Sequence, residues 1–390
     1  MKAPSIIFAV LISLSYIVQA QPEYRKWRSQ NGREIEAIAV DEKDGWIKLK
    51  LKEGREVSVK LDQLSTRDQE YIVQLKQQLK QQALEAQRSA TWPNEVRTQK
   101  DYEVNFEDPI NSFDTHQQVY SSPNFIFYSD QELSLGLVQD FSWLFESTYN
   151  YVSQLPLGLN DSEKKKLNKV LLYKDMKAYH DDGGPVDSPG IYIEGRKSGY
   201  VLAPYESLGL KKDEFGYKID KEAFDPDLSS EIVKLVTDKA YFKPGLEGWF
   251  TNGVATYITA TPYKFGYFNG KDMKNSVKQY VTGKNPDTGK GLQLGDVIKV
   301  GSLEEFMRPS ESKSKTDLKS KLGISAMIFT YFTDLKRDQE LGNLQKALEA
   351  AKLGKSPEEI LGSLLAGRSF EDLEREINKA WGTEGVILKF

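Results

Sequence analysis

The chain has 390 residues, 39% of them apolar, with 18 Phe, 20 Tyr and 6 Trp, which is ample for a core and long enough for two or three folding units. A formal charge of −4 gives no polycationic footprint, so a phosphate-backbone partner such as nucleic acid is excluded. No cysteine is present, and disulfides, thiolate metal sites and thiol nucleophiles are excluded together.

Residues 1–20 read as a secretory signal. Lys2 is the positive start, residues 6–18 are mostly apolar, and Val18-Gln19-Ala20 is a small-residue cleavage site. The run is shorter than the ~20 residues a bilayer core requires, and no later segment is apolar enough to span. The expectation is an exported protein of a bacterial periplasm or outer surface, with no membrane span once the signal is removed.

Residues 24–64, within a first module at 21–64, alternate with period two. Ile35, Ala37 and Ala39 interleave with Glu34, Glu36 and Ile38; Ile47, Leu49 and Leu51 interleave with Trp46, Lys48 and Lys50; Val57, Val59 and Leu61 follow. Asn31-Gly32, Asp44-Gly45 and Glu53-Gly54 punctuate the runs, which predicts a meander of short antiparallel strands. A sheet this small is expected to curl into a barrel and so remove its edges. Tyr24-Arg25-Lys26-Trp27, Asp44-Gly45-Trp46-Ile47-Lys48-Leu49 and Leu64-Ser65-Thr66-Arg67-Asp68-Gln69-Glu70-Tyr71-Ile72 resemble the SH3-like Sla-type homology domain. The resemblance implies a protein- or peptide-binding barrel. Trp27 and Trp46 are candidates for lining a peptide groove, with core packing as the competing role.

Ser65 and Asp68 approximate a capping box, and Ile72, Leu75, Leu79, Ala83 and Ala86 share one helical face. Residues 65–90 are therefore predicted as a spacer helix, whose thin apolar stripe offers a weak dimer contact. Residues 91–120 lack sustained periodicity, contain Pro93 and Pro109, and are predicted as a linker.

From residue 121 the pattern becomes mixed. Strands are predicted at 125–128, 170–173, 190–193 and 200–203, with a helix capped by Ser129 running to about Gln154. A helix from Leu228 to about Ala240 places Ile232, Val233, Leu235 and Val236 in the core, and another covers 251–260. Helices near 322–335, 340–352, 357–366 and 370–381 follow, the last two opened by Ser356 with Glu359 and Ser369 with Asp372.

Ser230-Glu231-Ile232-Val233-Lys234, followed by Trp249-Phe250-x-x-Gly253-x-Ala255-x-Tyr257, resembles the gluzincin, or peptidase-MA-like, metallopeptidases. In that family two histidines four residues apart on one helix hold zinc, a glutamate between them activates water, and a glutamate on the next helix completes the site. Position by position, Ser230 and Lys234 stand where the histidines belong, and Asn252 stands at the third ligand. Only Glu231 keeps the family residue. A charged Lys234 has no lone pair to donate and repels a cation.

The reading is a multi-domain chain: a small all-β SH3-like barrel (21–64), a helical spacer, and an α+β gluzincin-like domain (121–385) with C-terminal helices. Its expected role is binding protein or peptide ligands, with no cofactor and no metal. The alternative is a hydrolase, either a non-standard metallopeptidase or a cell-wall enzyme, using Glu231. His116 and His180 are the two histidines in the chain. His180 with Asp181 and Asp182 offers at most a weak metal site in an exposed turn.

Overall fold

The computed structural model describes residues 24–43, 45–75, 91–108, 116–160, 167–186, 188–195, 199–214, 216–284, 289–308 and 317–390. The signal-like segment and the spacer helix beyond residue 75 lie outside the described residues. The chain divides into two compact units, 1–89 and 90–390.

In the smaller unit β1 (Arg25–Arg28), β2 (Glu34–Lys43), β3 (Trp46–Leu51) and β4 (Glu56–Lys60) form an antiparallel meander. The alternation sends Trp27, Ala37, Ala39, Ile47, Leu49 and Leu51 to one buried face. The expected barrel is overturned: the sheet is open, ordered β1-β2-β3-β4, with no pairing between its outer strands. Strands of 4 and 5 residues at the two edges are too short to wrap round and meet. The apolar face is screened instead by Leu64 and by Ile72 of α1 (66–75). Asp68, 2% exposed, fixes this cover. It pairs with the Arg25 guanidinium and accepts from Arg28 N at 2.7 Å and Ser65 Oγ at 2.9 Å.

In the larger unit, the stretch expected as a linker carries β5 (Glu95–Arg97), β6 (Asn105–Glu107) and most of β7 (Gln118–Ser121), with Trp92 and Val96 in the core. With β8 (Phe125–Ser129), β9 (Asn168–Tyr173), β10 (Ile191–Ile193) and β11 (Tyr200–Pro204), β6 and β7 make a six-stranded sheet ordered β10-β11-β9-β8-β7-β6. Strands β8, β9 and β11 run parallel, and β10 is an antiparallel edge. Phe125, Phe127, Val170 and Leu172 face the main core, which includes α2 (Leu135–Gln154). Their alternates Tyr128, Leu171 and Tyr173 face a second layer with Tyr179 of α3 (Met176–Asp181). Both faces are therefore covered, as strands this apolar require. The start of α2 differs from expectation: Ser134 is the N-cap, accepting from Leu137 N, whereas Ser129 ends β8 and hydrogen-bonds the Tyr205 hydroxyl at 2.6 Å.

The hairpin β12 (Leu208–Asp213) and β13 (Gly216–Phe224) leads into α4 (Leu228–Val236) and α5 (Trp249–Ala260). Next come β14 (Tyr263–Lys264) and β15 (Tyr267–Asn269), a hairpin whose second strand pairs with β5, then α6 (Met273–Thr282), β16 (Val297–Lys299) and α7 (Leu303–Met307). Helix α8 (Leu318–Thr330) ends in a π-helical turn, Tyr331–Leu335, before α9 (Arg337–Lys352), α10 (Pro357–Leu365) and α11 (Phe370–Thr383). Strand β17 (Ile387–Lys389) pairs in parallel with β16. Both serine capping boxes, at Ser356 and Ser369, are formed. Arg368, between α10 and α11, bonds both carboxylate oxygens of buried Glu340 at 2.8 Å and Glu376 at 2.5 Å. Among the described residues no helix is long and apolar enough to cross a membrane.

Candidate functional site

Helix α4 buries Ile232, Val233, Leu235 and Val236, so Ser230, Glu231 and Lys234 are left on its partly exposed flank. Three donors converge on the Glu231 carboxylate. Ser230 Oγ donates to Oε1 at 2.7 Å, Lys234 Nζ donates to the same oxygen at 2.8 Å, and Tyr192 N donates to Oε2 at 2.8 Å. The Glu231 and Lys234 side chains are 12% and 20% exposed. The ion pair is thus partly desolvated and stronger than a surface pair of the same spacing.

Tyr192 lies in β10, whose one neighbour is β11, and its backbone N–H turns outward to Glu231. Helix and edge strand approach closely because Gly190 precedes β10. A Cβ there would sit 2.7 Å from Leu228 Cδ1 and 2.8 Å from Leu202 O. Tyr179, whose ring presses on Gly184, is close enough to feel Glu231: burial raises its phenol above the ordinary value, and the Glu231 charge adds to the rise. Sequence reading did not select Tyr179 or Tyr192, since a backbone donor and a packed phenol carry no motif.

Asn252 stands in the first turn of α5, half-buried, and its side chain makes no hydrogen bond with a described residue. Helices α4 and α5 touch instead through the Ser229 and Thr259 hydroxyls, 3.2 Å apart. The structure thus gathers Ser230, Glu231 and Lys234 into one cluster and leaves Asn252 outside its hydrogen bonds.

The histidines are committed elsewhere. His116 is buried with its ring edge-on to Tyr173 at 4.5 Å, and burial lowers its pKa. His180 Nδ1 lies 2.8 Å from Gly184 O, Asp181 pairs with Lys177, and Asp182 accepts from Tyr173. Among the described residues no group of three or more His, Asp or Glu side chains is placed to hold a metal ion. A cleft of about 440 Å³, lined among others by Lys271, Asp334, Lys336 and Arg337, does not include the Glu231 cluster.

The two aromatic candidates separate. Trp27 is 1% exposed, donates from its indole nitrogen to Ala37 O at 3.0 Å and meets Tyr71 edge-on, which makes it core. Trp46 is 44% exposed on the opposite face of the sheet.

A second acidic pair lies just before α4. Asp225 accepts from Asp227 N at 3.0 Å and pairs with Lys290 at 2.9 Å. Burial pushes the Asp227 carboxyl up to about 6, with the Asp225 charge adding to the rise and Lys290 and Tyr280 opposing it. Its folded pKa lies above the unfolded value, so the folded state holds the proton more tightly. The resulting stability is full below about pH 4 and is lost as pH rises through about 6. Urea denaturation at pH 4.5 and 7.5 should show that Asp227→Asn removes about 2 kcal/mol of the difference between the two conditions. An unaltered difference would dismiss this assignment.

Compared with protein-family models, with curated proteins and with solved structures, the chain matches none.

Proposed function

We propose that the chain is an exported binding or scaffold protein whose larger unit keeps the frame of a zinc peptidase but replaces its metal chemistry with an ion pair. The observation that carries this reading is the engagement of both Glu231 oxygens by Ser230, Lys234 and the Tyr192 amide. The Lys234 ammonium and the Ser230 hydroxyl occupy one oxygen and the Tyr192 N–H orients the other, so the carboxylate is tied to the chain's own donors rather than aimed at a metal-bound water. The ammonium of Lys234 supplies positive charge next to Glu231 from the chain itself, on the face where a second histidine would coordinate. The likeness to gluzincins rests on the quoted sequence residues, and the cluster geometry agrees with the loss of ligands that those residues describe.

The test is metal analysis of protein purified with zinc present, together with an assay on unfolded protein substrates. No stoichiometric zinc and no hydrolysis are expected. Bound zinc with turnover that Glu231→Gln abolishes would overturn the reading and establish a hydrolase.

A further inference from the structure

The hairpin of β14 and β15 turns on a residue that its geometry disfavours. Phe265 and Gly266 are the two residues between the strands, and both have positive φ, 47° and 74°. A two-residue turn of this kind favours Asn-Gly, and a bulky aromatic enters the left-handed region only at a cost. The Phe265 ring is 52% exposed, so core burial does not offset that cost. Gly266, by contrast, is required: a Cβ there would stand 2.3 Å from Trp143 Nε1.

The turn is pinned from below. Trp143 donates from its indole nitrogen to Thr98 O at 2.8 Å, Thr98 N donates to Gly266 O at 2.8 Å, and Gly266 N donates to the Tyr263 hydroxyl at 3.1 Å. The Phe265 and Trp143 rings lie 25° from parallel, with centres 6.5 Å apart. Half-buried Trp143 and Tyr267 thus form a collar under the exposed apex. Cations stand around it: Arg97 is 4.4 Å from the Tyr267 ring centre, Lys100 is 5.7 Å from that of Trp143, and exposed Lys264 adjoins the apex. Glu95 is held by Lys271 and Asp140 by Lys100, whereas Lys264 and Arg97 make no ion pair with a described residue.

We propose that this hairpin tip is a contact with a membrane surface: Phe265 enters the apolar boundary of the bilayer, Trp143 and Tyr267 sit at headgroup depth, and Lys264 and Arg97 meet anionic lipid headgroups. An apolar apex, then amphipathic aromatics, then flanking cations is the order in which a bilayer interface accepts side chains. Backbone strain placed under an exposed ring points to a role outside the fold. A stable protein interface takes about 800 Å² from each partner, far more than one protruding ring supplies. The inference goes beyond the role proposed above and uses no residue of the Glu231 cluster, so the two fail separately.

The experiment is co-sedimentation with vesicles of phosphatidylcholine and phosphatidylglycerol, paired with urea denaturation. It uses the chain from residue 21, so that the apolar run at 6–18 adds no affinity of its own. Saturable, reversible binding that weakens as salt rises is expected. Phe265→Asn should weaken it about tenfold while leaving the urea midpoint unchanged or raised, because asparagine is the residue this turn favours. Lys264→Glu should weaken it too, with the midpoint unchanged. A chain that stays in the supernatant overturns the proposal, as does vesicle binding that Phe265→Asn leaves intact. A lowered midpoint in Phe265→Asn also overturns it, since the ring would then serve the packing of the hairpin.

Discussion

Lys234→Met is expected to destabilise the larger unit by about 1–3 kcal/mol, the cost of leaving a half-buried polar group without one of its partners. Glu231 would keep its bonds from Ser230 and from the Tyr192 amide, but two neutral donors do not offset a negative charge that is 12% exposed. The loss comes from the carboxylate left behind, not from the methionine, whose stem fills much of the space of the lysine. The double variant Glu231→Gln with Lys234→Met should therefore recover most of the stability, since the uncharged amide can accept from the Tyr192 N–H through its oxygen while its NH2 donates to the Ser230 hydroxyl. Urea titrations of the two single variants and the double variant form a cycle whose coupling should exceed about 1.5 kcal/mol. Additive losses would mean that Lys234 is an exposed lysine with no hold on Glu231, and the proposed substitution of a metal by an ion pair would lose its physical basis.

The parts of this cluster that were legible in the sequence are those carried by helical spacing. Residues 231 and 234 fall on one flank because 232, 233, 235 and 236 are apolar, and the pairing of a glutamate with a lysine three positions on follows from that. The third donor was not legible: the Tyr192 N–H belongs to an edge strand 39 residues earlier, and every residue of that strand carries such a group. Asp227 is a similar case. Its position before α4 marks a helix start, but the shift of its carboxyl depends on burial, with Tyr280 and Lys290 arriving from more than fifty residues away.

In the smaller unit the period-two runs at 35–39, 46–51 and 57–61 lie on β2, β3 and β4, while β1 had no run of its own. The alternation did not decide between a barrel and an open sheet, because both have the same period and differ only in whether the outer strands meet. The cover supplied by Leu64 and Ile72 is a tertiary fact. Trp46, by contrast, was readable as outward: it shares parity with Lys48 and Lys50, opposite Ile47, Leu49 and Leu51. The hairpin β12–β13 escaped notice because exposed Lys211, Lys212 and Lys218 mask its alternation.

Gly253→Ala should cost the larger unit about 1–3 kcal/mol, although alanine is favoured over glycine in a helix by about 1 kcal/mol. Helix α5 lies against α8 at this residue. A Cβ built on Gly253 would stand 2.7 Å from the Ser325 carbonyl oxygen and 3.0 Å from Phe329 Cβ. The first obstacle is backbone, which cannot rotate aside, so the two helices must separate and their ring contacts, Phe250 and Tyr257 against Phe329, must loosen. Gly342→Ala in α9 is the control, since nothing lies within 4 Å of its added carbon; it should be neutral or stabilising by up to about 1 kcal/mol. Shortening Phe329 to alanine in the Gly253→Ala background should not restore stability, because the Ser325 carbonyl remains in place. Equal melting temperatures for the Gly253 and Gly342 variants would show that α5 and α8 are not held at this spacing. The glycine of the Trp-x-x-x-Gly-x-Ala-x-Tyr segment would then have no packing reason to be there. A large difference would tie that glycine to helix packing, a role that needs no metal site beside it.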